Sequence, residues 1–250
     1  MKWKRFLLLL TLFIFQWLHL KSQESAVLLP EFSYSLGIPL AELEKRFGSH
    51  LCLGIGITYQ PAKNHFNFGG RFSYFLGSEV KEDVLQPFRS SFEGLLLGSD
   101  NFLAEMKLKE RGFIIQLNTG GLIPIFSQSK ARQSFKWQMG VGYLQHSIRF
   151  VDEARALTQF NTEYLEGLDR MSNGWAIIPF VGYEFLSRKG WLSFYTGIEP
   201  VLAFTKNKRS LNYDTNQSEL DISRFDMLLN FKVGLYLPFY LNSDYEKIEY

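Results

Sequence analysis

Histidines, one thiol and a set of evenly phased charges are the residues here that could do chemistry. Past residue 22 histidine stands at three positions, His50, His65 and His146. His50 and His65 fall at opposite ends of neighbouring stretches that alternate apolar and polar residues, so they do not meet. His146 precedes Ser147, and a serine–histidine pair works only when the imidazole reaches the hydroxyl. Adjacent residues on a strand leave opposite faces, so the two make a poor dyad and no catalytic residue is assigned. No segment has metal-ligand spacing. The glycines of CLGIGI (52–57) lie inside a strand pattern, not between a strand and a helix, which removes a phosphate loop. Neither metal nor cofactor is expected. Cys52 is the single cysteine and has no partner for an internal disulfide. Its place in an alternating stretch reads as a small buried filler.

The charges say more. Arg71, Lys136, Glu184, Glu199, Asp226 and Lys232 all share the phase of the small residues in their stretches. If that phase faces an interior, each needs a partner. An internal salt-bridge network is therefore expected. A gated polar path is the sharper form of the same reading, and a continuous water column would distinguish it.

The elements that must hold these residues are strands. In HLCLGIGITYQ (50–60), Leu51, Leu53, Ile55, Ile57 and Tyr59 alternate with Cys52, Gly54, Gly56, Thr58 and Gln60, a period of two. The same period recurs over 31–38, 65–76, 134–143, 174–185, 191–204 and 224–239. In 101–126 the apolar phase flips near Glu110-Arg111-Gly112. Either a tight turn sits there or one long strand carries a bulge, which inserts one residue and shifts the phase. A bulge gives eight strands, with long connections at 39–49, 77–100, 149–173 and 205–222 and short ones at 61–64, 127–133 and 187–189. Long loops at one end and short turns at the other mark a transmembrane barrel, and an even strand count returns both termini to the turn end.

Glycine decides which face is inside. Gly37, Gly54, Gly56, Gly69, Gly120, Gly140, Gly142, Gly182, Gly197 and Gly234 share the polar face; Gly70 and Gly121 do not. Water does not ask for glycine, which weakens a strand. The lumen of an ~8-strand barrel is narrow and does ask for small side chains. The apolar face then meets lipid. Aromatic residues gather at the turn end: Tyr59, Phe66, Phe68, Phe126, Phe135, Phe185, Phe239 and Tyr240.

The N-terminus reads as a signal peptide over 1–22, a basic start and the apolar run FLLLLTLFIFQWLHL, too short for a spanning helix of ~20 residues. Its removal takes Lys2, Lys4, Arg5 and Lys21, leaving 23 basic residues against 25 acidic ones. The mature chain is thus slightly acidic, and no nucleic-acid footprint remains. The barrel is expected over 23–240, with a periplasmic tail at 241–250.

These features resemble the small outer-membrane β-barrels of Gram-negative bacteria, the OmpA-barrel and OmpW-like families. The likeness rests on the leader, the eight alternating strands, the loop asymmetry and the aromatic strand end at Phe239-Tyr240. It covers essentially the whole mature chain. It implies an all-β, eight-stranded antiparallel transmembrane barrel in the outer membrane, in contact with outer-membrane lipid. Apolar residues in the long loops, Phe88, Phe92, Leu96, Phe160 and Tyr164, are candidates for an interaction surface. The leading functional expectation is a non-enzymatic structural or accessory protein. It would bind a partner in the envelope or in secretion machinery through its loops or periplasmic edge. A narrow pore for small or apolar solutes comes second. Third is a lipid A-modifying hydrolase, which needs a histidine, a serine and a carboxylate converging on the outer wall.

Overall fold

The computed structural model describes residues 26–62, 65–90, 94–99, 101–128, 131–187, 192–218 and 222–241. Residues 1–25, which hold the expected signal peptide, Phe92, the Phe126 side chain and residues 242–250 lie outside the described residues. Alternation produces eight barrel strands: β1 Val27–Ala41, β2 His50–Gln60, β3 Phe66–Gly77, β4 Lys107–Gln128, β5 Ala131–Val151, β6 Ser172–Ser187, β7 Phe194–Asn207 and β8 Ser223–Tyr236. Each pairs antiparallel with the next, and β8 pairs back onto β1, closing the ring. Closure removes the exposed edges that an open sheet would leave. Following partners once around from Glu31, through Gly56, Arg71, Gln116, Gly142, Ala176, Ala203 and Asp226, returns to β1 at Ala41. That stagger of ten residues fixes a strand tilt of roughly 35–45°.

The 101–126 region is one strand from Lys107, as the eight-strand count requires, but it holds no bulge at Glu110-Arg111-Gly112. Its register against β3 and β5 runs unbroken through those residues. The irregularity lies lower, between Pro124 and Phe126, where proline lacks the N–H that a ladder needs. What flips near residue 111 is the polarity of each face. Met106, Leu108, Glu110, Gly112 and Ile114 all point inward, and Lys107, Lys109, Arg111, Phe113 and Ile115 all point outward. The expected loop 77–100 therefore reaches to residue 106 and carries its own hairpin, Leu96–Leu97 against Leu103–Ala104. At the C-terminus the ladder breaks after Tyr236, and a separate pair, Phe239–Tyr240, rejoins Leu28 and Val27 of β1.

Inward glycines make room for inward rings. A Cβ on Gly234 would collide with Tyr195, and one on Gly112 with Phe75. Gly121, which breaks the inward pattern, lies beneath the outward Trp137 indole.

Two regions stack along the axis. In the turn-side half the outer face is apolar and the lumen polar. Toward the loops the interior becomes a hydrophobic core of Leu43, Phe47, Phe75, Val84, Leu85, Leu96, Leu157 and Leu168, reached from the barrel by Ile114, Leu144, Ile178, Val201 and Leu228. The loops thus fold into a cap over the barrel mouth.

Candidate functional site

The charges that meet in the lumen come from six strands, because the stagger brings distant sequence positions together. Arg71 on β3 donates Nε to Glu31 Oε1 at 2.5 Å and pairs through Nη1 with Glu199 Oε2 at 2.7 Å. Lys232 on β8 takes the other oxygen of Glu199, and Gln116 donates to Oε2 at 3.5 Å. A second cluster centres on Glu184. Gln60 donates to it at 3.1 Å, Arg132 pairs at 3.1 Å, and the Tyr236 hydroxyl donates at 3.3 Å. Lys136 donates to Tyr236 Oη at 2.5 Å, with Glu184 Oε2 3.8 Å from its Nζ. The Lys136 ammonium also lies 4.9 Å from the Tyr195 ring centroid, a cation–π distance.

Five of the six lumen charges named from sequence thus belong to these two clusters. Asp226 does not. It sits higher, where its Oδ2 meets His146 Nε2 at 3.1 Å and accepts from the Thr205 hydroxyl at 2.5 Å. A matching pair, His50 Nδ1 and Glu110 Oε2 at 3.4 Å, lies at the same barrel end. Sequence reasoning missed Glu31, Glu110 and the two tyrosines. Glu31 and Glu110 share the inward phase of their strands, and that signal was present.

Lys136, Glu184 and Tyr195 are fully buried, and Arg71, Lys232 and Glu199 nearly so. A water-filled channel would leave such side chains exposed. The inward Leu144, Ile178, Val201 and Leu228 form a buried apolar layer between this polar level and the mouth. Cys52 also points inward and is buried.

Among the described residues, His146 and Ser147 do not come together as a pair. His146 faces inward onto Asp226, and Ser147 faces out. A His–Ser–carboxylate group facing lipid is therefore not formed by these residues. Among the described residues no cluster of His, Cys, Asp and Glu fits a metal ion.

Instead the wall carries a broad apolar belt. On β5 it runs from Phe135 to Tyr143, about the ~9–11 residues a tilted membrane strand needs. Tyr59, Phe66, Phe68, Phe135 and Phe239 are exposed at the turn end. A second aromatic row, not apparent in the sequence, rims the loop end. Tyr143, Trp175, Phe204 and Phe225 are successive register partners across β5 to β8. Their rings lie 5.4 to 5.9 Å apart where paired.

The loop candidates turn toward the cap. Leu96 is buried in its core, and Phe88, Phe160 and Tyr164 are partly buried against it. Phe88 meets Phe160 edge-on at 5.6 Å and Tyr164 at 6.0 Å. These rings hold loops to one another. Polar ties finish the cap. Arg46 pairs with Glu82 at 3.0 Å and donates to the Arg170 carbonyl at 2.9 Å, while Arg170 bridges Glu82 at 2.8 Å and Asp214 at 2.7 Å. Burial pushes the Glu82 carboxyl up, but Arg46 and Arg170 outweigh it and hold the group below its ordinary value. Burial lowers the Arg46 guanidinium, and Glu82 only partly offsets this.

Neither family models nor curated protein sequences match this chain. Solved structures do. Neisserial surface protein A is 8% identical with a TM-score of 0.43, over 88% of this chain and 100% of that one. Ail of Yersinia pestis, solved with the heparin analogue sucrose octasulfate, is 10% identical with a TM-score of 0.40, over 85% and 99%. The outer membrane protein OprG of Pseudomonas aeruginosa is 10% identical with a TM-score of 0.41, over 86% and 97%. At such distances the assignment of an eight-stranded antiparallel barrel rests on this chain's own closed register.

Proposed function

We propose that this protein is an integral outer-membrane β-barrel of a Gram-negative bacterium, a non-enzymatic anchor whose folded cap is offered to an envelope or secretion-machinery partner. One observation carries the reading: an apolar belt surrounds a lumen whose buried charges pair with one another. Burying charge inside while exposing Phe32, Ile55, Leu117 and Val141 is costly in water and favourable in lipid. The burial and mutual pairing of the lumen charges support an anchor over a pore. The hairpin at 96–104 supports the partner surface, since it lifts Leu97 and Leu103 off the cap while Leu96 stays packed beneath.

The test is extraction of the tagged protein from outer membranes in mild detergent, followed by mass spectrometry of what co-elutes. A stoichiometric partner lost in Leu97→Ser/Leu103→Ser is expected, with the boiling-dependent gel shift of a folded barrel retained. A chain found in the soluble fraction, or one with no gel shift, would overturn the membrane reading. Discrete conductance in planar bilayers would replace the anchor with a pore.

A further inference from the structure

We propose that the outer wall of β4 and β5, just above the apolar belt, binds the phosphate group of a membrane lipid. The proposal rests on the membrane-spanning reading above. Every charged side chain that the eight strands turn outward is basic: Lys107, Lys109 and Arg111 on β4, Arg149 on β5 and Lys206 on β7. Four of these five crowd onto one strand pair. Lys109 and Arg149 are direct register partners, with Arg111 on the diagonal. Like charges directly opposite each other destabilise a sheet. Lys107 is matched by Glu153 at 3.1 Å. Lys109, Arg111 and Arg149 form no ion pair among the described residues, and Arg111 Nη1 donates to the Glu110 carbonyl at 2.9 Å.

A cleft of ≈ 310 Å³ opens between this wall and the loop bearing α1 (Thr162–Glu166). Arg111 and Arg149 line it together with the hydroxyl-bearing Tyr74, Ser147 and Thr162. Glu166 and Asp169 also line it, and Arg209 pairs with both, at 3.0 Å and 2.7 Å, so these two carboxylates against Arg111, Arg149 and Arg209 leave one net positive charge. The unmatched charge of the cleft is therefore positive. Guanidinium forks suit phosphate oxygens, and hydroxyls complete such a shell.

Position selects a lipid over a free anion. Phe113 lies one outward step below Arg111 on β4, and Ile115, Leu117, Val141 and Tyr143 continue the apolar surface downward. A lipid with its acyl chains along this surface would carry its headgroup phosphate to the level of Arg111 and Arg149. Free phosphate has no apolar body to use it.

The test is native mass spectrometry of the detergent-solubilised barrel titrated with dilauroyl phosphatidic acid, dilauroyl glycerol and inorganic phosphate. Retention of phosphatidic acid is expected to weaken about tenfold in Arg111→Gln/Arg149→Gln, and partly in Arg149→Gln alone, whose side chain is exposed. Arg89→Gln, in a loop ion pair with Asp83, should leave it unchanged. Dilauroyl glycerol should not be retained. Equal retention by the double variant, or of the phosphate-free lipid, would overturn the proposal. Binding of inorganic phosphate without retention of phosphatidic acid would assign the cleft to a free anion and overturn the lipid source. The gel shift on the same samples keeps the two readings apart: a shifting barrel that retains no lipid sinks this site alone.

Discussion

Leu117 lies on β4 and Met106 immediately precedes that strand, and the two face opposite ways. Leu117 points out of the barrel and is 74% exposed; Met106 points into the cap and is 4% exposed. Between them β4 neither slips nor bulges against its neighbours. One register therefore serves two environments. In the belt the outside is apolar and the inside charged; in the cap the inside is apolar and the outside charged. The teaching is that an apparent phase shift in hydrophobic alternation has two physical sources. A bulge moves side chains across the sheet, whereas a change of surrounding medium alters which face must be apolar.

The belt-level lumen is where the comparison breaks most easily. Glu199→Ala would leave Arg71 and Lys232 buried without their shared carboxylate, at a cost of ~3–5 kcal/mol. Glu166→Ala removes an exposed cap pair with Arg209 and should cost ~0–1 kcal/mol. Urea unfolding of both variants in micelles or vesicles measures the contrast, and equal effects would contradict it.

The cap's inverted interior is tested by Leu168→Ala. Removing this fully buried side chain should cost the cap ~2–5 kcal/mol. The damage should be local: loops become sensitive to limited proteolysis while the barrel keeps its boiling-dependent gel shift. Loss of the shift would mean that cap and barrel fold as one unit.

The outer face offers a matched pair of substitutions. Leu117→Arg should cost ~2–4 kcal/mol in vesicles, because it places a charge in the belt. Gln145→Arg, two outward steps above Val141 and beside Phe113 in register, should be near neutral. Similar values for both would erase the boundary between the regions.

The smallest effect concerns pH. Glu82 is held below the ordinary carboxylate range, so its stabilisation of the cap is complete above the unfolded value of ~4.3. That stabilisation is lost as pH falls through the lower folded value. Pepsin should therefore begin to nick the loops only below about pH 4, and Glu82→Gln should remove this acid step. An unchanged acid profile in the variant would assign the step to another carboxylate.

Period-two alternation, the glycine-lined face and unequal connections suffice in the sequence for eight strands and a polar lumen, since each is a local property repeated along the chain. The same reading placed Arg71, Lys136, Glu184, Glu199, Asp226 and Lys232 on the inner phase. It did not assign partners. Arg71 meets Glu31 and Glu199, forty and 128 residues away, and Asp226 meets His146 instead of the central network. Those pairings follow from the ten-residue stagger of the closed ring, which no local pattern encodes. Nor did the loops specify a folded cap: whether Phe88, Phe160 and Tyr164 pack on one another or form an interaction surface was open in the sequence, because their mutual contacts are long-range. The basic wall of Lys109, Arg111 and Arg149 was hidden for the same reason, since two strands must come into register before their charges crowd. Within the belt, alternation determined which way each side chain points; only closure and cap folding decided what it meets there and how the faces invert above Gly112, because height in a tilted barrel depends on every strand at once.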